Sequence, residues 1–183
     1  MYPYLRVLKT FTKKVPNLDS IWDSTHQEMH VWPGDIDIFM EVNNGRYLTL
    51  MDFGRFEYFR RLSWMDKQNK GKWRWRGAVA GTSIRYRKRL HLFQKFTLST
   101  KLVALDERWW YLGQTVERLG DIHASALVRF AVIDKHGLVP TTKIEDILEQ
   151  DLDRKMPDWV KHWDDSDQMR PWVSMSKTEE VET

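Results

Sequence analysis

Apolar residues spaced three and four apart run through residues 45–64 without a proline. The residues at this spacing are Tyr47, Leu48, Met51, Phe56, Phe59 and Leu62, and Leu50, Phe53 and Tyr58 widen the apolar arc beyond one face. Asn43 or Asn44 provides an N-cap, and the polar run MDKQNKGK ends the pattern. The spacing therefore predicts one long helix that is mostly buried.

Apolar and polar residues alternate in the segments that follow, around residues 82–89, 96–105, 109–116 and 122–133. Turn residues separate the last three segments at 105–107, 119–121 and 134–137. The alternation predicts four antiparallel strands in a meander. An earlier strand is predicted near Gln27 to Trp32, because Pro33 and Gly34 end it.

This order of elements predicts an α+β fold, in which a curved antiparallel sheet wraps one long central helix. A single open sheet has a free edge, and a second copy of the chain could extend it. The chain is divided into an N-terminal segment (1–24), a main domain (25–150) and an acidic C-terminal tail (151–183). The tail loses periodicity and is expected to be partly disordered, although Trp159, Trp163 and Trp172 indicate that part of it docks on the domain.

The 183 residues contain no cysteine, which excludes disulfides, thiolate metal clusters and a cysteine nucleophile. A chain without cysteine suits a reducing compartment, so we expect a cytoplasmic protein. Residues 1–14 are too short and too rich in Lys and Arg for a membrane span, and no transmembrane segment is expected.

Charge is segregated along the chain. Residues 67–105 hold eleven Lys and Arg residues and no acid, whereas residues 145–183 hold twelve acids and five bases. The body of the protein therefore carries a positive field, which favours an anionic ligand.

Three acids, Asp35, Asp37 and Glu41, lie just before the predicted helix. The helix begins with unpaired N–H groups around Asn44 and Gly45, and such groups can hold a developing oxyanion while a nearby carboxylate acts on water or on a carbonyl carbon. The pattern is typical of an acyl-transfer or hydrolysis site. The same residue types also cap turns and helices, so spacing alone leaves both interpretations open.

The string DIDIFMEVNNGRYL resembles the pattern D-x-D-x-x-x-H-x-N-N-x-R-Y-L of hotdog-fold thioesterases of the 4-hydroxybenzoyl-CoA thioesterase type. The matching residues are Asp35, Asp37, Asn43, Asn44, Arg46, Tyr47 and Leu48, followed by Asp52 and Arg55. The resemblance covers residues 27–140. It implies a hotdog fold, a dimer or tetramer with its active site at the dimer interface, and hydrolysis of an acyl-CoA thioester to the free acid and CoA, with no metal or redox cofactor.

The resemblance also implies roles for individual residues. Asp37 would be the nucleophile or general base, and a backbone N–H near Asn44 or Gly45 would polarise the thioester carbonyl. Glu41 departs from the pattern, which has His there. Two neighbouring carboxylates could form a dyad with one raised pKa, or Glu41 could mark a chain that has lost its chemistry. An exposed turn residue is the third possibility.

Arg85, Arg87 and Arg89 recur at period two and could share one strand face that grips the phosphates of CoA. A solvated outer sheet face explains the same pattern. Met51 is expected to line an acyl tunnel.

Two other classes of function are weighed against the enzyme. A non-catalytic hotdog module would bind an acyl group or a partner without turnover. Lys72 to Arg76 interleave basic and aromatic residues, as single-stranded nucleic-acid platforms do, but no further motif supports nucleic-acid binding and we do not expect it. His26 and His30 lack the order of a zinc motif on a helix and are expected to be surface residues.

Overall fold

A six-stranded antiparallel sheet and one long helix packed against it make up most of the fold. The computed structural model describes residues 6, 12, 15–62, 76–143, 152 and 154–172. The elements are β1 (Ser24–His30), a 3-10 turn (Pro33–Asp35), α1 (Asn44–Arg61), β2 (Arg76–Tyr86), β3 (Lys95–Leu105), β4 (Trp110–Arg118), β5 (Asp121–Asp134), β6 (Gly137–Leu138) and α2 (Asp158–Met169). The predicted α+β class is confirmed.

The strands lie in the order β1-β3-β4-β5-β2, with β6 paired to β5. The predicted meander is correct for β3, β4 and β5, but β2 does not lie beside β3. It pairs with β5 instead, from Arg76 opposite Ile133 to Tyr86 opposite Ala124. Because β3 is already paired with β1 and β4, no edge of β3 remains for β2. Among the described strands, β2 therefore forms one edge of the sheet.

Helix α1 covers one face of the sheet and begins where Asn43 caps it. Its buried residues include Leu50, Met51 and Phe53, all fully buried. They pack on the inward residues of β5, which are Ala124, Ala126, Val128, Phe130 and Val132. This is the face that the period-two pattern predicts, except that Ile122 is 39% exposed.

A buried polar network ties the middle of α1 to the sheet. Arg55 Nη1 donates to Gln114 Oε1 at 2.6 Å, and Gln114 Nε2 donates to the Met51 carbonyl and to Thr100 Oγ1, each at 2.9 Å. Arg55 also pairs with Asp52 one turn earlier. Asp52 and Arg55 therefore help to hold α1 against the sheet. Their contacts satisfy buried polar groups that would otherwise destabilise the fold.

The acidic C-terminal part contains a helix that packs on the outer face of the sheet, opposite α1. Arg129 of β5 donates to Asp164 Oδ1 at 2.5 Å and to Asp167 Oδ2 at 2.7 Å, and its guanidinium lies 5.5 Å from the ring centres of Trp109 and Trp163. Docking of Trp163 agrees with the sequence, but Trp172 is fully exposed and docks on nothing. The expected loss of regular structure does not hold for 158–169, because Val160 and the Arg129 contacts give this helix a buried face.

Neither α1, α2 nor any other helix within the described ranges is long and apolar enough to cross a membrane.

Candidate active site

A short hairpin between β1 and α1 carries the acids of the sequence motif. Ile36 and Val42 form a bridge, and the Asp37 N–H donates to the Glu41 carbonyl at 2.9 Å. The tip exposes Ile38, Phe39 and Met40, with 88%, 74% and 56% of their surface accessible. The hairpin therefore places Asp37 and Glu41 beside the beginning of α1.

Asp35 is buried, and both of its carboxylate oxygens have cationic or N–H partners. Its carboxylate accepts from Arg6 Nη2 at 2.6 Å and from the Trp32 N–H at 2.8 Å, and Arg46 Nε lies 3.3 Å from its other oxygen. Arg46 also donates to the Gly34 carbonyl. These contacts join the N-terminal segment, the 3-10 turn and α1, so Asp35 holds the site loop in place.

Asp37 is half-buried and less engaged than Asp35. Its Oδ1 accepts the Phe39 N–H at 2.9 Å, and no cation within the described part of the chain lies at ion-pair distance from it. It borders an open pocket of about 470 Å³ together with Ile38, Asn43, Gly45, Arg46 and Thr49. A carboxylate with a free oxygen at a pocket wall can act on a bound ligand or on water.

The N–H groups at the start of α1 differ in availability. The Gly45 N–H donates to the capping Asn43 Oδ1 at 3.0 Å, and the Arg46 N–H donates to the Asn43 carbonyl at 2.8 Å. The Asn44 N–H makes no hydrogen bond to any other residue that the structure describes. Of the two expected oxyanion donors, Asn44 is thus open, whereas Gly45 is occupied by the cap.

Of the three possibilities for Glu41, the dyad with Asp37 finds no support in the contacts of its side chain. Its carboxylate lies 2.9 Å from Arg89 Nε, and it does not border the pocket that Asp37 lines. The hairpin is held from the same side, since the Val42 N–H donates to the Leu90 carbonyl at 2.9 Å. Glu41 therefore pairs the hairpin with the segment after β2.

Tyr47 lies in the same corner and is buried. Burial first, and the negative charge of Glu41 second, raise the pKa of Tyr47 to about 12. The phenol is therefore neutral at physiological pH and can serve only as a hydrogen-bonding group there.

The three arginines do not share a strand face as expected, because β2 ends at Tyr86. Arg85 lines a separate pocket of about 720 Å³ on the outer face of the sheet, where Ser99, Thr115 and Ser125 also lie. Arg87 and Arg89 follow the end of the strand, and Arg89 is the one that reaches the site hairpin.

The remaining candidates lie away from the pocket or outside the described ranges. Met51 is fully buried in the core and borders neither pocket described above. His26 is exposed and bonds to Ser24 and Ser99. Among the described residues no group of three or more His, Asp or Glu side chains is placed to hold a metal ion. Residues 72–75 of the basic aromatic stretch lie outside the described residues.

One contact at the start of α1 has no signal in the sequence. Tyr86 Oη donates to the Asn44 carbonyl at 2.9 Å, and the Tyr86 and Tyr47 rings meet edge to face with their centres 5.4 Å apart. The alternation in β2 indicates only that Tyr86 faces inward with Ile84.

A family model described as "Thioesterase-like superfamily" matches residues 31–163, which include the hairpin, α1, strands β2 to β6 and the start of α2. The chain belongs to the thioesterase-like superfamily. This membership confirms the resemblance to hotdog-fold thioesterases that the motif indicated.

Individual members of the superfamily agree with this. "Protein THEM6" of Xenopus laevis is 31% identical over 73% of this chain. "Long-chain acyl-CoA thioesterase FadM" of Escherichia coli (strain K12) is 29% identical over 69% of this chain and 92% of its own length. The crystal structure of "YbaW Probable Thioesterase" from Escherichia coli has a TM-score of 0.56 and 25% identity, over 70% of this chain and 98% of that one.

The chain spans only part of some relatives in the superfamily. It matches 63%, 55% and 46% of the length of the proteins printed as "Protein THEM6" from frog, fly and zebrafish, respectively.

Proposed function

We propose that this protein is an acyl-CoA thioesterase, which hydrolyses an acyl-CoA thioester to the free acid and CoA. The observation that carries the proposal is the pocket at the start of α1, which Asp37 lines together with Asn43 and Gly45. It lies next to Asn44, whose N–H bonds to no other described residue. The superfamily and the printed activity of the Escherichia coli relative support it. Long-chain acyl-CoA is accordingly the first substrate to test.

The charges around the pocket support Asp37 rather than Asp35 as the reacting carboxylate. Two guanidinium groups and one N–H already occupy Asp35, so its oxygens are not free to take a proton or to attack a carbon. Asp37 keeps one oxygen without a donor among the residues that the structure describes. The positive end of α1 stabilises the negative charge that develops on the thioester oxygen.

Two routes use these groups. In the first, Asp37 removes a proton from water, the hydroxide attacks the thioester carbon, the Asn44 N–H holds the oxyanion, and the C–S bond breaks to release the CoA thiolate, which takes up a proton. In the second, Asp37 itself attacks, the thiolate leaves, and water hydrolyses the resulting anhydride. A single turnover in H₂¹⁸O, followed by mass analysis of the peptide that contains Asp37, separates them, since label in Asp37 requires the second route.

The phosphates of CoA are proposed to contact Arg89 and Arg87 and not Arg85. Arg89 is 74% exposed at its side chain and already reaches the site hairpin through Glu41, whereas Arg85 lines the pocket on the opposite face of the sheet. The variant R89A is expected to raise KM for acyl-CoA more than R85A does. Equal effects would contradict this assignment.

We also propose a homodimer that forms at the free edge of β2, and a cytoplasmic location. Strand β2 is eleven residues long, pairs with only one of the described strands and is exposed along much of its length, and such an edge can extend into a second sheet. The absence of cysteine supports a reducing compartment. Light scattering of the purified protein and cell fractionation test the two statements.

The decisive experiment is thiol release from long-chain, short-chain and aromatic acyl-CoAs, read with a thiol reagent. The protein has no cysteine, so the reagent reports only on CoA. D37N should abolish release. D134N is a matched control, because Asp134 accepts the N–H of His136 at 2.7 Å, just as Asp37 accepts the N–H two residues later, but it is the last residue of β5 and does not line the pocket.

Retained release in D37N would contradict the role of Asp37. Binding of acyl-CoA by a folded wild-type protein without any release would contradict the enzyme and favour the non-catalytic binding module.

A further inference from the structure

Tyr86 links the edge strand β2 to the first residue of α1. Its hydroxyl donates to the Asn44 carbonyl at 2.9 Å, and its ring packs edge to face on Tyr47. It is the last residue of β2, and 43% of its surface is exposed.

The hydrogen bond is not needed to satisfy the helix. The Asn44 carbonyl stands in the first turn of α1, where it accepts the N–H of the residue four positions later. The helix groups that lack partners at this end are N–H groups, not carbonyls. Because Tyr86 is also partly exposed, water could satisfy its hydroxyl instead. A need to satisfy buried polar groups therefore does not explain this hydrogen bond.

The Asn44 carbonyl and the Gly45 N–H belong to one planar peptide group. Donation from Tyr86 to that carbonyl polarises the N–H on its other side, which donates to Asn43 Oδ1 at 3.0 Å. A chain of hydrogen bonds thus runs from Tyr86 through this peptide to Asn43. This chain fixes the plane of the Asn44–Gly45 peptide, which follows the residue with the open N–H. The direction of the first turn is fixed with it.

We infer that Tyr86 is a positioning residue, which fixes the Asn44–Gly45 peptide and thereby the conformation of Asn44, whose N–H is proposed to hold the developing oxyanion. The inference rests on the proposed thioesterase activity. Tyr86 acts through Asn44 and does not need to touch the substrate. Because β2 is one of the two edge strands among the described strands, Tyr86 also connects the edge proposed for dimerisation to the site.

The test compares Y86F with Y111F and the wild type. Y86F removes only the hydroxyl and keeps the ring on Tyr47. Y111F makes the same change at a distance, since Tyr111 donates to Asp106 Oδ2 at 2.7 Å on the outer face of the sheet. We expect Y86F to lower kcat about ten- to a hundredfold, because small displacements of a catalytic donor have effects of this size. KM and the shape of the pH profile should not change, and Y111F should keep the wild-type kcat.

A second readout does not depend on catalysis. In the ¹⁵N-labelled protein, Y86F should shift the amide resonances of Asn44 and Gly45 and accelerate hydrogen exchange at Gly45, whereas Y111F should leave both unchanged. Shifted amides in a protein without thioester turnover would mean that the proposed function fails while the hydrogen-bond chain exists. A kcat within twofold of wild type, or unchanged amides, would overturn the inference. A common fall in kcat, in acyl-CoA affinity and in Tm would also overturn it, because it would show a merely structural role.

Discussion

Replacement of Asp35 by Asn should destabilise the protein strongly, although the two side chains have nearly the same shape. The Asp35 side chain is 3% exposed and neutralises Arg6 and Arg46, whose side chains are 15% and 16% exposed. Asn removes the charge and leaves both guanidinium groups with no carboxylate at this position. Loss of one partner of a buried ion pair costs about 3–5 kcal/mol, and since water reaches both arginines we expect about 3 kcal/mol.

The same change at Asp37 should have the opposite consequences. Asp37 accepts one exposed backbone hydrogen bond, from Phe39, so D37N should cost no more than about 1 kcal/mol. It should nevertheless abolish thioester hydrolysis. D35N should retain part of its activity per folded molecule, because the reacting carboxylate is still present.

Urea unfolding followed by tryptophan fluorescence measures both stabilities, and thiol release measures both activities. A domain of ordinary stability remains folded after a loss of about 3 kcal/mol, so D35N can be assayed in its native state. Equal losses of stability in D35N and D37N, or a D35N variant as stable as the wild type, would refute the division of roles between the two acids.

Three further predictions concern the packing and ionisation of residues outside the site pocket. G54A should destabilise by about 1–3 kcal/mol in urea despite the better helix propensity of Ala, because its Cβ would lie 2.5 Å from Thr100 Oγ1. R129M should leave Asp164 and Asp167 without their guanidinium partner, and limited proteolysis should then cleave within α2. An ultraviolet titration should show Tyr47 ionising near pH 12 and not 10; since its folded pKa is raised, the stability that it contributes is complete below pH 10 and falls between pH 10 and 12.

Local periodicity predicts the elements of this fold well, because it depends on burial of one face. The inward residues of β5, from Ala124 to Val132, follow directly from alternation, and the buried arc of α1 follows from the spacing of Tyr47 and Met51. The position of β2 could not be predicted in this way. Its pairing with β5 depends on which strand edges remain free after β1 and β4 have paired with β3, and that is a property of the whole sheet.

The sequence motif locates the candidate site, but it does not show which of its carboxylates is already paired with a cation. Asp35 and Asp37 are two residues apart, and nothing local distinguishes them. Arg6, which pairs with Asp35, comes from 29 positions earlier in the chain. The cap at Gly45 likewise depends on the rotamer of Asn43. Partners from distant elements therefore decide which groups are free to react.

The pairing of Glu41 with Arg89 changes the meaning of the one departure from the motif. A lone carboxylate at position 41 would add a negative charge where the motif has a neutral ring. Arg89 lies 2.9 Å from the Glu41 carboxylate, so the pair carries no net charge, like the neutral imidazole that the motif has there. The substitution of Glu for His is thus compensated by an arginine on the segment after β2. For this reason Glu41 does not argue against a reactive Asp37.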